Sequence, residues 1–402
     1  MKDPVYSQGV SRFRHDYSRK GNNKNKMNYK KIKFLIAVFT LCLIPTLFPS
    51  STKADTAGFS VVPILDENQV KPGLGYFNLL LDPSQSKKLE FNIYNNGDEP
   101  IKIETTFGTS FTGDAGNVLY TPKKYKSDSS LEINIKDYVK LPKEVTVPAH
   151  SKMIVAAEVT MPKEKFTGVI AGGFNFNEKD TQENENKSNN SKNSTSITNR
   201  YAYVIGLVLQ NSVEKVQPEL SLGKVGASQR NNRNIIRANL HNSARAYLLD
   251  MDVDAVVKST KDDNVKYTFN SSSMEMAPNS NFDLAIPVSI QGALKENQTS
   301  EPLKPGQYKM TLTVFGGKNK NGRYQKLTNG QVTKYDNKWT FNKSFTITEA
   351  QSKELNSKDV TVDQKDETPW LLYILIAVVF LLIFIILLLL FKQRKQTANL
   401  KK

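Results

Sequence analysis

Residues 88–105 read KLEFNIYNNGDEPIKIET. Leu89, Phe91 and Ile93 alternate with Lys88, Glu90, Asn92 and Tyr94, the pattern of a strand with one buried face. Asn95-Asn96-Gly97-Asp98 is a turn signal, and Ile101, Ile103 and Thr105 alternate with Lys102 and Glu104 beyond it. The spacing predicts a β-hairpin. Met153, Val155, Ala157, Val159 and Met161 form another such row. Val169–Phe176 and Tyr201–Gln210 are more continuously apolar, as central strands are. No amphipathic helix is expected between Phe59 and Thr348. The fold class is therefore an all-β ectodomain of two immunoglobulin-like β-sandwich domains.

The first domain is expected over 58–216 and the second over 217–349. In the second, Ile235, Arg237, Asn239 and His241 alternate with Ile236, Ala238, Leu240 and Asn242; Tyr247, Leu249, Met251, Val253, Ala255 and Val257 share one face; Trp339, Phe341, Phe345 and Ile347 share another. Within the first, 177–196 (NEKDTQENENKSNNSKNSTS) is too polar to support a core and is expected to be a disordered loop. Residues 350–369, rich in Ser, Lys, Asp, Glu and Gln, are expected to be a polar stalk.

The ends of the chain are different. Trp370–Phe391 is an uncharged apolar run of 22 residues (391 − 370 + 1), about 33 Å of helix against a hydrocarbon core of about 30 Å. Lys392, Arg394, Lys395, Lys401 and Lys402 follow it, which places 392–402 in the cytoplasm and the preceding chain outside. The run is expected to be a single membrane anchor bounded by Trp370 and Phe391. At the other end a basic segment, an apolar stretch Phe34–Phe48 and the small residues SSTKADTAG make a secretory signal over 1–54, cleaved between Ala54 and Asp55, with an extended segment before Met27. Residues 1–54 hold eleven Lys/Arg and two acids, and 370–402 five Lys/Arg and none, so of the +16 total only +2 (16 − 9 − 5) remains for 55–369. The basic balance belongs to targeting and gives no case for nucleic-acid binding.

Few residues in the chain suggest chemistry. Cys42, the single cysteine, lies in the signal, so no disulfide and no Cys–His dyad is expected. There is no G-x-S-x-G, P-loop or H-E-x-x-H motif, and no catalytic, cofactor or metal site is expected. His150 and His241 read as ordinary turn and strand residues. Asp250, Asp252 and Asp254 resemble the opening of a calcium loop, but Ala255 and Lys261 stand where Gly and Glu are needed. They read as a solvated strand face. Arg230, Arg233 and Arg237 read as a hydrated turn. Tyr76, Phe77 and Phe282 are expected to be core, and are the residues to watch for ligand contact.

FSVVPILDENQVKPGLGYFNLLLDPSQSKKLEFNIYNNGDEPIKIE from Phe59, RNNRNIIRANLHN from Arg230, MEMAPNSNFDLAIPVSI from Met274, KPGQYKMTLTV from Lys304 and WTFNKSFTI from Trp339 occur in this order. Together they resemble the WxL-interacting proteins of Gram-positive bacteria. GTSFTGDAGNVLYTP from Gly108 is only loosely similar to the corresponding family segment. The resemblance implies a non-catalytic, adhesin-like surface protein that associates with WxL-domain proteins, binds peptidoglycan through its first domain and host surface ligands, such as extracellular matrix proteins, through its second. The competing readings are a cell-wall-modifying enzyme and a chaperone-like spacer for secreted surface proteins.

Overall fold

The computed structural model describes residues 58–65, 67–122, 125–179, 201–296, 298–363 and 370–399. The Ala54–Asp55 cleavage site and most of the 177–196 loop lie outside them. Residues 177 and 178 still belong to a strand.

The first domain contains β1 (Phe59–Ile64), β2 (Phe77–Leu80), β3 (Ser86–Asn95), β4 (Ile101–Thr109), β5 (Phe111–Thr112), β6 (Val118–Leu119), β7 (Val139–Lys140), β8 (Glu144–Val147), β9 (Ser151–Thr160), β10 (Ile170–Glu178) and β11 (Ala202–Gln210). One sheet runs β1-β3-β9-β7 and the other β2-β11-β10-β4-β8, with β5 and β6 a separate pair. The sheets share one core: Phe91 from the first meets Phe174 from the second edge-on at 4.8 Å and Phe176 at 5.0 Å. Such aromatic pairs add to what their buried area contributes.

The predicted hairpin at 88–105 is not one. β3 pairs with β1 and β9, whereas β4 pairs with β10 and β8. The turn between them carries the chain from one sheet to the other. Asn95 makes this possible: it is buried, its amide donates to the carbonyls of Glu99, Val147 and Pro148, and its side-chain oxygen accepts from Gly97 N–H. Alternation states which face of each strand is buried but not which strand lies beside it.

The second domain contains β12 (Leu220–Arg230), β13 (Arg233–Asn242), β14 (Leu248–Ser259), β15 (Lys266–Met276), β16 (Ser280–Pro287), β17 (Gly306–Lys318), β18 (Tyr324–Thr328) and β19 (Gln331–Ile347). Its sheets are β12-β13-β16 and β15-β14-β17-β19-β18. Ile236, Leu240, Phe282 and Ile286 from the first bury against Val253, Val257, Met310 and Leu312 from the second.

Part of the expected stalk is folded onto this domain. Helix α1 (Glu349–Lys358) begins at Thr348, whose hydroxyl caps Gln351 N–H at 3.2 Å. Asn356 exchanges two bonds of 2.9 Å with the Leu303 backbone. The buried Asp359 carboxylate accepts from Asn234 N–H at 2.7 Å, Thr361 N–H at 2.8 Å and the Ser289 hydroxyl. The segment docks mainly through amides, hydroxyls and one carboxylate, with Leu355 and Val362 adding isolated apolar contacts that carry no periodicity. A second helix, α2 (Trp370–Asn399), takes in the whole apolar run and continues beyond Phe391.

Candidate functional site

The segment between β4 and the Asp128 region leaves the two sheets of the first domain and reaches the second domain. It starts at a stripe of glycines: Gly108, Gly173 and Gly206 lie in register on β4, β10 and β11. A Cβ on Gly108 would sit 2.4 Å from the Tyr120 carbonyl oxygen, and one on Gly173 would sit 2.6 Å from Tyr120 Cβ. The bare floor therefore lets Tyr120 cross the sheet, with its carbonyl held by Asn175 Nδ2 at 2.9 Å. Its hydroxyl lies 3.3 Å from that of Tyr247 in the second domain, and burial pushes the Tyr247 phenol well up.

The β5–β6 hairpin makes the next contacts. Thr112 Oγ1 lies 2.6 Å from Ser280 Oγ and accepts Ala277 N–H at 3.0 Å. Gly116, at φ +70°, gives its carbonyl to Glu275 N–H at 2.7 Å and packs on Met274. The chain then returns along the second domain through Asp128, whose carboxylate lies 2.6 Å from His241 Nδ1, and Ser130, which Asn279 Nδ2 reaches at 3.2 Å. The Asp128 side chain is 3 % exposed. Burial alone would raise its carboxyl, but the Ser130 N–H, His241 and the Ser130 hydroxyl outweigh it and hold the group below its ordinary range.

Between these contacts lies a cleft of about 700 Å³. Phe111 and Tyr125, stacked at 4.3 Å and 9°, line one part. Asn239, Asn281, Asp283, Arg237 and His241 line the other, with Lys126 and Lys224 exposed at its margin. Asn239 Nδ2 is held by Asp283 Oδ1 at 2.9 Å, so these polar groups are oriented by one another. Aromatic rings beside fixed amides and charges suit the recognition of a polar ligand. His241 and Asp128 do not extend to a nucleophile: among the described residues no hydroxyl or thiol is hydrogen-bonded to His241 Nε2, and Gly223 packs beside that atom. The pair ties two domains together, which corrects the reading of His241 as an ordinary strand residue.

Phe77 and Phe282 are core, 0 % and 3 % exposed, whereas Tyr76 is 37 % exposed and lies over Gly206. Arg230 does not form a hydrated turn: it donates to the carbonyls of Asp114 and Asp283, one in each domain. Asp250, Asp252 and Asp254 do not share a solvated face, because the β14–β15 register shifts at Met251 and Asp250 takes φ +50°. Asp252 is buried, accepts from Tyr335 and pairs with Lys326, which also lies 2.7 Å from Asp254. Among the described residues no set of three or more such side chains is placed to hold a metal ion. Reasoning from sequence missed Thr112, Asp128, Asn279 and Ser280. The turn Asp114-Ala115-Gly116 was a legible hairpin signal; its partner more than 150 residues away was not.

Residues 59–178 match a family model described as WxL Interacting Protein, peptidoglycan binding domain, and residues 192–357 match the host binding domain of the same proteins. The chain belongs to the WxL-interacting protein family. Both matched models describe binding domains, and this WxL-interacting protein is accordingly an extracellular binding protein. A comparison with curated proteins finds no match. Similar solved structures include the E. coli chaperone DraB (11 % identity, 68 % of this chain and 96 % of that one, TM-score 0.24). A Salmonella enterica SafA pilin–SafB chaperone complex (7 %, 71 % and 96 %, TM-score 0.26) and a CsuC–CsuE chaperone–tip subunit complex of Acinetobacter baumannii (11 %, 57 % and 91 %, TM-score 0.27) are others. At these TM-scores they bear on neither fold nor function.

Proposed function

We propose that this WxL-interacting protein is a membrane-anchored, non-catalytic scaffold that holds peptidoglycan and a WxL-domain protein at the cell surface and engages host surface ligands through its second domain. The observation that carries this reading is the pairing of two binding-domain matches with an apolar helix: 18 residues of α2, Tyr373–Leu390, have a mean hydropathy of 3.5. A stretch of that length and character suits a bilayer span. The basic residues after it support a cytoplasmic tail. Among the described residues, the interdomain cleft, with its stacked rings and fixed amides, is the place best suited to a glycan strand.

The test is co-sedimentation of the full chain, in detergent, with purified peptidoglycan, together with pull-down of WxL-domain proteins. Retention on both is the expected result. Failure on both overturns the scaffold reading, and release of soluble fragments from peptidoglycan replaces it with an enzymatic one.

A further inference from the structure

The outer face of the five-stranded sheet in the second domain carries an arrangement that its folding does not need. Lys258 on β14 lies in register with Lys266 on β15 and, on its other side, with Lys309 on β17. All three side chains are exposed, while the residues flanking Lys258 and Lys309 in the same row pattern, Val257, Tyr308 and Met310, are buried on the opposite face. Adjacent strands are about 4.8 Å apart, so the three stems stand within about 10 Å of one another. Like charges placed directly opposite across strands destabilise a sheet.

The carboxylates of the adjoining turn, Asp262 and Asp263, form no ion pair with the row among the described residues. Among the described residues none of the three lysines is paired with a carboxylate. Asp254, further along the same face of β14, is engaged by Lys326 at 2.7 Å, and Asp262, in the turn between β14 and β15, lies 3.4 Å from Lys304. The row continues on β19 with Ser344, opposite Lys309. The next row on this face is Thr268, Val256, Thr311 and Asn342, with Thr311 bonded to Asn342 at 2.9 Å. The segment 55–369 carries a formal charge of only +2, so this line of three is a local concentration rather than a sample of a basic surface.

We propose that the Lys266–Lys258–Lys309 row is a docking site for a sulfated polysaccharide. A straight line of ammonium groups crossing the strands matches a linear polyanion, and long lysine stems let each group follow an irregular spacing of sulfates. The Ser, Thr and Asn side chains beside the row present the donors and acceptors that sugar hydroxyls require. Neither row holds an aromatic side chain on which a base would stack, which disfavours single-stranded nucleic acid. The proposal rests on the host-binding reading of this domain and names the chemistry that such binding would use.

The test is fluorescence anisotropy of a labelled heparin oligosaccharide titrated with the full chain in nanodiscs of zwitterionic lipid. Binding is expected at about 0.05 M salt and should weaken steeply by about 0.3 M, as contacts between exposed charges do. The variant K258Q/K266Q/K309Q should bind roughly tenfold or more weakly. Its melting temperature should stay level or rise, because the substitution relieves repulsion. K88Q/K140Q/K163Q, an equal charge change in the first domain, should leave affinity unchanged. Equal losses in the two variants, equal binding of the same oligosaccharide stripped of sulfate, or tighter binding of poly(glycerol phosphate) than of heparin would each overturn the proposal. Adhesion of the same chains to cultured animal cells keeps the two readings apart. Adhesion by both wild type and the row variant, without heparin binding, removes the lysine row and leaves host binding standing; no adhesion by wild type removes host binding itself.

Discussion

Asp128 of the first domain and His241 of the second meet at 2.6 Å, carboxylate to Nδ1, in a seam where the carboxylate is almost wholly enclosed. Two domains joined only by a flexible linker would gain nothing from such a pair. Here it is one of a series that includes Thr112–Ser280 and Tyr120–Tyr247, so the domains are held against each other by specific polar contacts.

Replacing Asp128 with Ala should cost about 2–3 kcal/mol, since the Ser130 N–H and His241 lose a buried charged acceptor. The folded-state carboxyl is depressed, so its contribution is fully present above the ordinary carboxylate range near pH 4 and is lost as pH falls through that range toward the folded value. Urea unfolding of wild type and D128N at pH 7 and at about pH 3 checks this: the difference between them should shrink at the lower pH.

Gly108 and Gly206 sit in one row of the sheet but should respond differently to Ala. A Cβ at Gly108 meets a backbone carbonyl at 2.4 Å, whereas one at Gly206 meets Tyr76 Cβ at an ordinary 3.5 Å. G108A should lose about 1–3 kcal/mol through overpacking. G206A should stay within about 0.5 kcal/mol of wild type. Thermal melts of the two variants give the comparison directly.

Phe77→Ala should cost about 3–5 kcal/mol, because the ring is fully buried among aromatic neighbours. Tyr76→Ala should change stability by less than about 1 kcal/mol. If Tyr76 contacts peptidoglycan, Y76A lowers retention on it while the melting temperature holds; unchanged retention removes Tyr76 from the binding surface.

A chain ending at residue 348 should have a less stable second domain than one ending at 363. The longer form keeps Asn356 on Leu303 and Asp359 on Asn234 and Ser289. D359A in the full chain should reproduce much of the loss, about 3 kcal/mol, by leaving buried donors without an acceptor. Equal melting temperatures for the two truncations would return 349–363 to the role of a stalk.

Composition and periodicity alone determined the all-β character, the two cores, the apolar terminal helix and the near-neutral charge of what lies between. These follow from local rules: side chains alternate across a strand, and a long uncharged run has one stable solution in lipid. Leu89, Phe91 and Ile93 were legible as a buried face for that reason. Only the tertiary structure decided that β3 and β4 belong to different sheets, that Asp252 is buried, that 349–363 folds back on the second domain, and that Asp128 finds His241. Each depends on contacts between residues far apart in sequence, made by hydrogen bonds and charges that carry no period. The lysine row is of the same kind: Lys258, Lys266 and Lys309 form no pattern along the chain, and become a line of charge only once register sets them side by side.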